Sequence, residues 1–255
     1  MPDGFTYRRL LEARARHGAV FILLVDPGST PVSALARIAA TAEGAGVDGF
    51  FVGGSLVHVA HPDEYVAELK RHTALPVIGF PGAVTQVVPS LDAVLYLSVV
   101  SGRNPEYLIG QHVHGAPLIR RMGLETISTG YMLIESGTLT TAQYLSGSLP
   151  IPRGKPEVAA ATALAAEMMG MKLLYTDAGS GAEHAVSDEM VGAIATTCKA
   201  PLIVGGGLRS PEAVLSKVRA GAAIIVVGNA VERNPDVGFL SELVAASHTK
   251  SHVPH

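Results

Sequence analysis

Eight apolar runs of strand length recur along the chain. They lie at Val20–Val25, Gly49–Val52, Pro76–Phe80, Ala93–Val99, Glu125–Ile134, Lys172–Thr176, Pro201–Val204 and Ala223–Val227. Most are continuous rather than alternating, the pattern of parallel strands buried on both faces. Helical spacing fills most of the intervals, at Pro31–Ala45, Pro62–His72, Pro105–Met122, Lys155–Met169, Ser187–Cys198, Pro211–Ala220 and Asp236–Ala246. In the first of these, Val32, Leu35, Ile38 and Ala42 share one face. Helix starts carry chemical marks: Asn104-Pro105-Glu106 and Ser210-Pro211-Glu212 each set a capping residue before a proline at the first helical position. A strand–helix alternation repeated about eight times predicts a closed parallel barrel or a doubly wound sheet. The length of 255 residues is close to the ~250 typical of one (β/α)8 barrel. Glycine turns after the last two strands favour the barrel. The expected organisation is a single barrel domain over 1–247 and a polar tail over 248–255.

Two intervals depart from the pattern. Only twelve residues separate Phe80 from Ala93, and they include Pro81, Gly82 and Pro89. That is too short and too broken for a full crossover helix, so the barrel is expected to lack a regular third helix. An extended or short helical segment replaces it, and Ala83, Val84, Val87 and Val88 line a thinly covered side. Such a side is either a groove for a long apolar ligand or an ordinary packed loop. The second interval, Thr138–Lys155, is rich in Thr, Ser, Gly and Pro and carries Tyr144 and Ile151. Long βα loops are uncommon in barrels, which makes this one a candidate lid or subunit contact.

Composition narrows the functional classes. Hydrophobic residues make up 48% of the chain and charged residues 16%, enough for a large core and unlike a disordered chain. The net charge of −3 and the absence of any basic run argue against nucleic acid as a partner. The single cysteine, Cys198, excludes an intrachain disulfide and fits a reducing, cytoplasmic setting. Met1–Arg16 has scattered charges and no apolar core, so no signal peptide is expected there. No apolar run reaches the ~18 residues of a membrane span.

The chemistry concentrates in turns that follow strands. Leu173–Thr176 leads into Asp177-Ala178-Gly179-Ser180-Gly181, Pro201–Val204 into Gly205-Gly206-Gly207, and Ala223–Val227 into Gly228-Asn229. Glycine lets backbone N–H groups converge on an anion. In a parallel barrel the loops after strands seven and eight form the usual phosphate site. Together the three turns point to a phosphorylated small molecule. Ser180, Asn229 and Arg209 offer further contacts to a phosphate. Asp177, beside the turn, either accepts a proton from a bound hydroxyl or caps a short helix. Asp26 ends the first strand and Ser55 the second, so a barrel brings them together. They are a sparse candidate Mg²⁺ site, because Mg²⁺ takes few protein ligands and leaves the rest to water and phosphates. The alternatives are a turn carboxylate and an N-cap. The histidines have poor metal-ligand spacing: His58 and His61 lack a third partner nearby, and His112 and His114 face different sides of a helix.

At this level of detail the chain resembles the geranylgeranylglyceryl phosphate synthases and the related bacterial heptaprenylglyceryl phosphate synthases. The likeness covers nearly the whole chain. It includes Asp26-Pro27, Val52-Gly53-Gly54-Ser55, Phe80-Pro81-Gly82, Leu97 to Gly110, Thr129-Gly130-Tyr131, Pro150-Ile151-Pro152, Ala165 to Ala182, Val204 to Ser210 and Val227-Gly228-Asn229. The run Ser101-Gly102-Arg103-Asn104-Pro105 is the most specific part. The resemblance implies a modified TIM barrel without its third helix. It implies Mg²⁺-dependent transfer of a polyprenyl group from its diphosphate to the sn-3 hydroxyl of sn-glycerol 1-phosphate, giving an ether-lipid precursor. Mg²⁺ would be held by Asp26 and Ser55. Glycerol phosphate would be held by Tyr175, Thr176, Asp177, Ala178, Gly179, Ser180, Gly181, Gly206, Gly207, Gly228 and Asn229, with Asp177 and Tyr175 acting in catalysis. A homo-oligomer, dimer or hexamer, is expected, with Tyr144 as an aromatic anchor or a cover for the barrel mouth.

Two positions depart from the family pattern. Asp26-Pro27-Gly28-Ser29 stands where Asp-Pro-Asp-Lys is usual, and Asp177 stands where Glu is usual. Two other readings remain open at this point. One is a phosphate-sugar isomerase or aldolase on the same barrel. The other is a non-catalytic barrel that binds phosphoprenyl compounds.

Overall fold

The computed structural model describes residues 4–57, 59–228 and 236–249. Its strands are β1 (Val20–Val25), β2 (Gly49–Val52), β3 (Val77–Gly79), β4 (Ala93–Val99), β5 (Glu125–Leu133), β6 (Leu173–Asp177), β7 (Leu202–Gly205) and β8 (Ile224–Val227). They form a closed barrel in chain order, with β8 pairing β1 in parallel. The helices are α1 (Phe5–His17), α2 (Leu35–Ala45), α3 (Pro62–Arg71), α4 (Gln111–Met122), α5 (Thr141–Ser146), α6 (Pro156–Met168), α7 (Asp188–Thr197), α8 (Pro211–Ala220) and α9 (Val237–Ser247). No described helix is long and apolar enough to cross a membrane. The C-terminal tail from residue 250 onward lies outside the described residues.

Alternate side chains of each strand enter two separate cores. Ile22, Phe51, Ile78, Leu95, Ile127 and Ile203 pack inside the barrel. Phe21, Phe50, Val77, Val94, Leu174 and Ile225 pack between barrel and helices. Both sets are essentially inaccessible to solvent, which is why the sequence runs are continuously apolar.

The barrel lacks a crossover helix after β3, as its short interval predicts. Only a single 3-10 turn, Val84–Gln86, stands there. Val88 does not line an open side; it is buried in the core beneath the helices. The helix expected from Pro105 begins with a π-turn, Glu106–Gly110, whose widened spiral closes with the Gln111 N–H on the Glu106 carbonyl.

Two helices carry no strong signal in the sequence reading. The first, α1, hides among charges, yet its Leu10 and Ala13 close the interior core at the end opposite the strand C-termini. Its N-cap residue, Gly4, supplies no side-chain cap. The carboxylate of Glu125, on β5, does so instead: it accepts the Thr6 N–H at 2.8 Å and the Tyr7 N–H at 2.9 Å. The second, α5, sits inside the irregular Thr138–Lys155 stretch. Thr140 and Gln143 form a reciprocal capping box at its start.

Glu125 is buried, so losing its carboxylate strands two N–H groups near the base of the barrel. Glu125→Ala is expected to cost about 1–2 kcal/mol of stability. In a chain of this size that lowers Tm by roughly 2–4 °C per kcal/mol. A melting curve coincident with that of the native chain would show that water or another group replaces the cap.

Candidate active site

Closing the barrel brings all strand C-termini to one rim, and a cavity of about 780 Å³ opens there. Its lining includes Asp26 and Ser55 from the β1 and β2 ends, Tyr131, Tyr175 and Asp177 from β5 and β6, and Gly179, Ser180, Gly181, Gly206, Gly207 and Gly228 from the turns after β6, β7 and β8. An apolar extension runs past Ala83, Val84 and Val87 of the 3-10 segment and on to Gly115 and Ile119 of α4. The thin side of the barrel is therefore a groove continuous with the polar centre.

The β1 and β2 ends meet through glycine. A Cβ on Gly54 would lie 2.7–2.8 Å from the Asp26 carboxyl group, and one on Gly53 would lie 2.0 Å from the Phe80 carbonyl oxygen. Gly53 also has φ of +151°. No other residue lets the three loops approach so closely. Gln86 then binds the loops together: its Nε2 donates to the Gly54 carbonyl at 3.0 Å, and its Oε1 accepts from Gly82 and Gly54. Asp26 Oδ1 accepts the Gly28 N–H at 2.8 Å. Partial burial raises its pKa, and that N–H partly offsets the rise. Asp26 is thus a turn carboxylate that still borders the cavity. Among the described residues no group of three or more His, Cys, Asp or Glu is placed to hold a metal. One carboxylate and one hydroxyl do suit Mg²⁺ that completes its shell with phosphate oxygens and water.

Asp177 closes β6 and is buried. Tyr131 donates its hydroxyl to Asp177 Oδ2 at 2.6 Å, and the Gly179 N–H donates to Oδ1 at 2.7 Å. Burial lifts the Asp177 pKa above the ordinary value, while these two hydrogen bonds favour the anion and pull it back. Each carboxylate oxygen retains room for a further donor. Tyr131 lines the cavity beside Asp177 but has no part in the site expected from the sequence. Its signal was the shared strand parity of residues 131 and 133 opposite 175 and 177 in a β5–β6 pair. The Tyr131 and Tyr175 rings meet edge to face at 5.2 Å, and Phe80 stacks on Tyr175 at 5.3 Å. Burial and the nearby Asp177 charge push both tyrosine pKa values well up, so both stay neutral.

The β6 and β7 turns pack backbone to backbone. A Cβ on Gly206, at φ +81°, would fall 2.7 Å from the Gly179 nitrogen. Arg209 borders the cavity, and its guanidinium donates to the Ala182 carbonyl at 2.6 Å, bracing one turn on the other. Thr176 and Ala178 do not reach the cavity. They have the opposite strand parity: the Thr176 hydroxyl donates to the Ile203 carbonyl, and Ala178 packs in the helix-facing core. The Ala178 N–H is also used, bonding the Gly205 carbonyl. Asn229 and His58 lie outside the described residues. The run at 101–105 acts as a staple rather than a contact surface. Asn104 Nδ2 donates to the Ser146 carbonyl at 2.6 Å, and Asn104 Oδ1 accepts the Glu106 N–H. The π-turn is thereby tied to the end of α5, which forms part of the cavity rim.

Known proteins place this architecture. The PcrB family matches residues 10–246. Geranylgeranylglyceryl phosphate synthase of Chitinophaga pinensis is 45% identical over 247 residues, covering 97% of each chain. The synthase of Spirosoma linguale is 48% identical over 217 residues, covering 85% of this chain and 87% of its own. The crystal structure of (S)-3-O-geranylgeranylglyceryl phosphate synthase from Thermoplasma acidophilum, in complex with substrate sn-glycerol-1-phosphate, superposes with a TM-score of 0.89. Its identity is 34%, over 96% of this chain and 98% of that one.

Tyr131→Phe removes a hydrogen bond that favours the ionised form of Asp177. The carboxyl of Asp177 should then titrate at higher pH than in the native chain, read from carbon chemical shifts of ¹³C-labelled aspartate. A titration that stays put would mean that Oδ2 recruits another donor.

Proposed function

Since the chain belongs to the PcrB family, we propose that it is a prenyltransferase that carries a polyprenyl group, in the simplest case geranylgeranyl, from its diphosphate to the sn-3 hydroxyl of sn-glycerol 1-phosphate. The observation that carries this reading is one cavity with two chemistries. Its polar end has an acid and three glycine turns, and its other end continues as an apolar groove where a crossover helix is missing. A phosphate head and a hydrocarbon tail are the ligands such a cavity suits.

In this reading the backbone of Ser180-Gly181, Gly206-Gly207 and Gly228 holds the acceptor phosphate, and Asp177, itself held by the Gly179 N–H, meets the acceptor hydroxyl. As the allylic carbon–oxygen bond of the donor breaks, diphosphate leaves, the acceptor oxygen bonds to that carbon, and its proton passes to Asp177. A buried carboxylate with a raised pKa is a better base than an exposed one. Phe80, Tyr131 and Tyr175 form an aromatic junction between the polar end and the groove. Their faces stabilise positive charge developing on an allylic carbon, and the dry setting keeps water from competing. Mg²⁺, held by Asp26 and Ser55 together with diphosphate oxygens, would neutralise the departing charge. Holding both substrates in one cavity supplies much of the remaining acceleration.

A phosphate-sugar isomerase or aldolase has less support. No lysine lines the cavity among the described residues, so a Schiff-base mechanism lacks its nucleophile. The non-catalytic reading draws on the Gly28-Ser29 departure and on the shorter Asp177, and the same assay separates it from transfer.

A butanol-extractable product should form from radiolabelled sn-glycerol 1-phosphate and geranylgeranyl diphosphate, and chelation of Mg²⁺ should abolish it. Asp26→Asn should reduce turnover by about 100-fold or more, and Ser55→Ala by less. Binding of both ligands without product, for every donor length, would identify a binding barrel instead.

A further inference from the structure

Two histidines from the first and last described helices meet at the base of the barrel. His17 ends α1, and His248 directly follows α9. Their rings stack with centroids 4.2 Å apart and planes 18° from parallel. Asp48, just before β2, lies against both. Its Oδ2 accepts from His248 Nε2 at 2.9 Å and from the Phe21 N–H at 2.8 Å, and its Oδ1 is 3.8 Å from His17 Nε2. Only 9% of the Asp48 side chain and 12% of the His248 side chain are exposed. None of the three lines the cavity. One carboxylate thus serves two imidazoles, and it balances the charge of one imidazolium. A second imidazolium, stacked on the first, meets a like charge at close range. Among the described residues, the charged groups that act on His17 are Asp48 from the α2–β2 turn, His248 from the end of α9 and Arg16 from α1 itself. Burial first, and then His248 and Arg16, lower the His17 pKa, while Asp48 partly restores it.

We propose that His17, Asp48 and His248 form a proton-operated latch that fastens the end of α9 to the base of the barrel, closed while at most one ring is charged and open when both are. The sign follows from linkage. A pKa lowered in the fold means that the unfolded chain binds the proton more tightly. The stability supplied by the latch is therefore present above the unfolded histidine value of about 6.5, and it is lost as the pH falls from there through the lowered value in the fold. The protons come from solvent, and no other reactant is needed. The latch bears on the cavity through the helix it holds. Phe239, in the first turn of α9, lines the cavity, while His248 lies beyond the last turn. Between these ends α9 packs on α2, α8 and β1, so it covers the seam where β8 closes on β1.

The test is amide hydrogen exchange of the full-length protein at about pH 8 and about pH 5, the range over which histidine charges, corrected for the intrinsic exchange rate. The amides to follow are those of the last turn of α9, including the His248 N–H, which bonds the Val244 carbonyl at 3.0 Å. In the native chain their protection should fall at the lower pH, by about tenfold for each unit by which the fold lowers the His17 pKa. His17→Phe keeps a ring that stacks but takes no proton. His248→Gln keeps an uncharged donor for Asp48. In both variants the protection of that turn should stay level between the two pH values. A native chain with equal protection at both overturns the proposal. So does a fall of native size in either variant, which would place the acid-sensitive group elsewhere. Melting curves at the higher pH establish that each variant is folded, and one folded variant is enough to decide.

Discussion

Closure of eight parallel strands is the constraint from which the rest follows. Every strand must end at the same rim, so residues scattered from 26 to 228 arrive around one opening. Once there, they must approach one another more closely than side chains permit. Glycine resolves that conflict at two seams: Gly53-Gly54 against Asp26 and Phe80, and Gly206 against the Gly179 nitrogen. Motifs that look alike in sequence thus do different work. The first seam seats a carboxylate, and the second assembles a backbone cradle.

The omitted crossover helix is the second determinant. A complete barrel would cover β4 with a helix and end its cavity at the aromatic junction. Here Gln86 ties the short 3-10 segment back to Gly54 and Gly82, so the segment stays ordered without filling the space of a helix. The groove is therefore a product of chain economy between Phe80 and Ala93. It requires no enlargement of the barrel.

Much of this was legible in the sequence. Apolar continuity marked most of the eight strands, because burial on both faces erases alternation. The short, proline-broken interval marked the missing helix, because twelve residues cannot span a crossover and pack. Asp26, Ser55, Asp177 and the glycines reached the cavity for the same topological reason. The losses have physical causes as well. Thr176 and Ala178 were included with their neighbours, but strand parity turns alternate residues away from the cavity. Tyr131 was missed because its partner Asp177 is 46 residues distant, and no local pattern encodes that pairing. The first helix was missed because its arginines mask a short buried stripe. The capping box Thr140–Gln143 was readable and marks α5.

The cap on α1 has a consequence for the order in which the chain assembles. The helix precedes every strand of the barrel, yet its carboxylate cap lies 119 residues later. Short isolated helices are marginal in water, so α1 gains its lasting register only after β5 has been made and paired. The base of the barrel therefore closes only once β5 is in place. Until then Leu10 and Ala13 have only their β1 neighbours of the interior core, Val20 and Ile22. Long-range closure of this kind slows folding and lengthens the exposure of apolar surface. The N-terminal segment is accordingly the place where assembly of this barrel is most vulnerable to interception by chaperones or by other nascent chains.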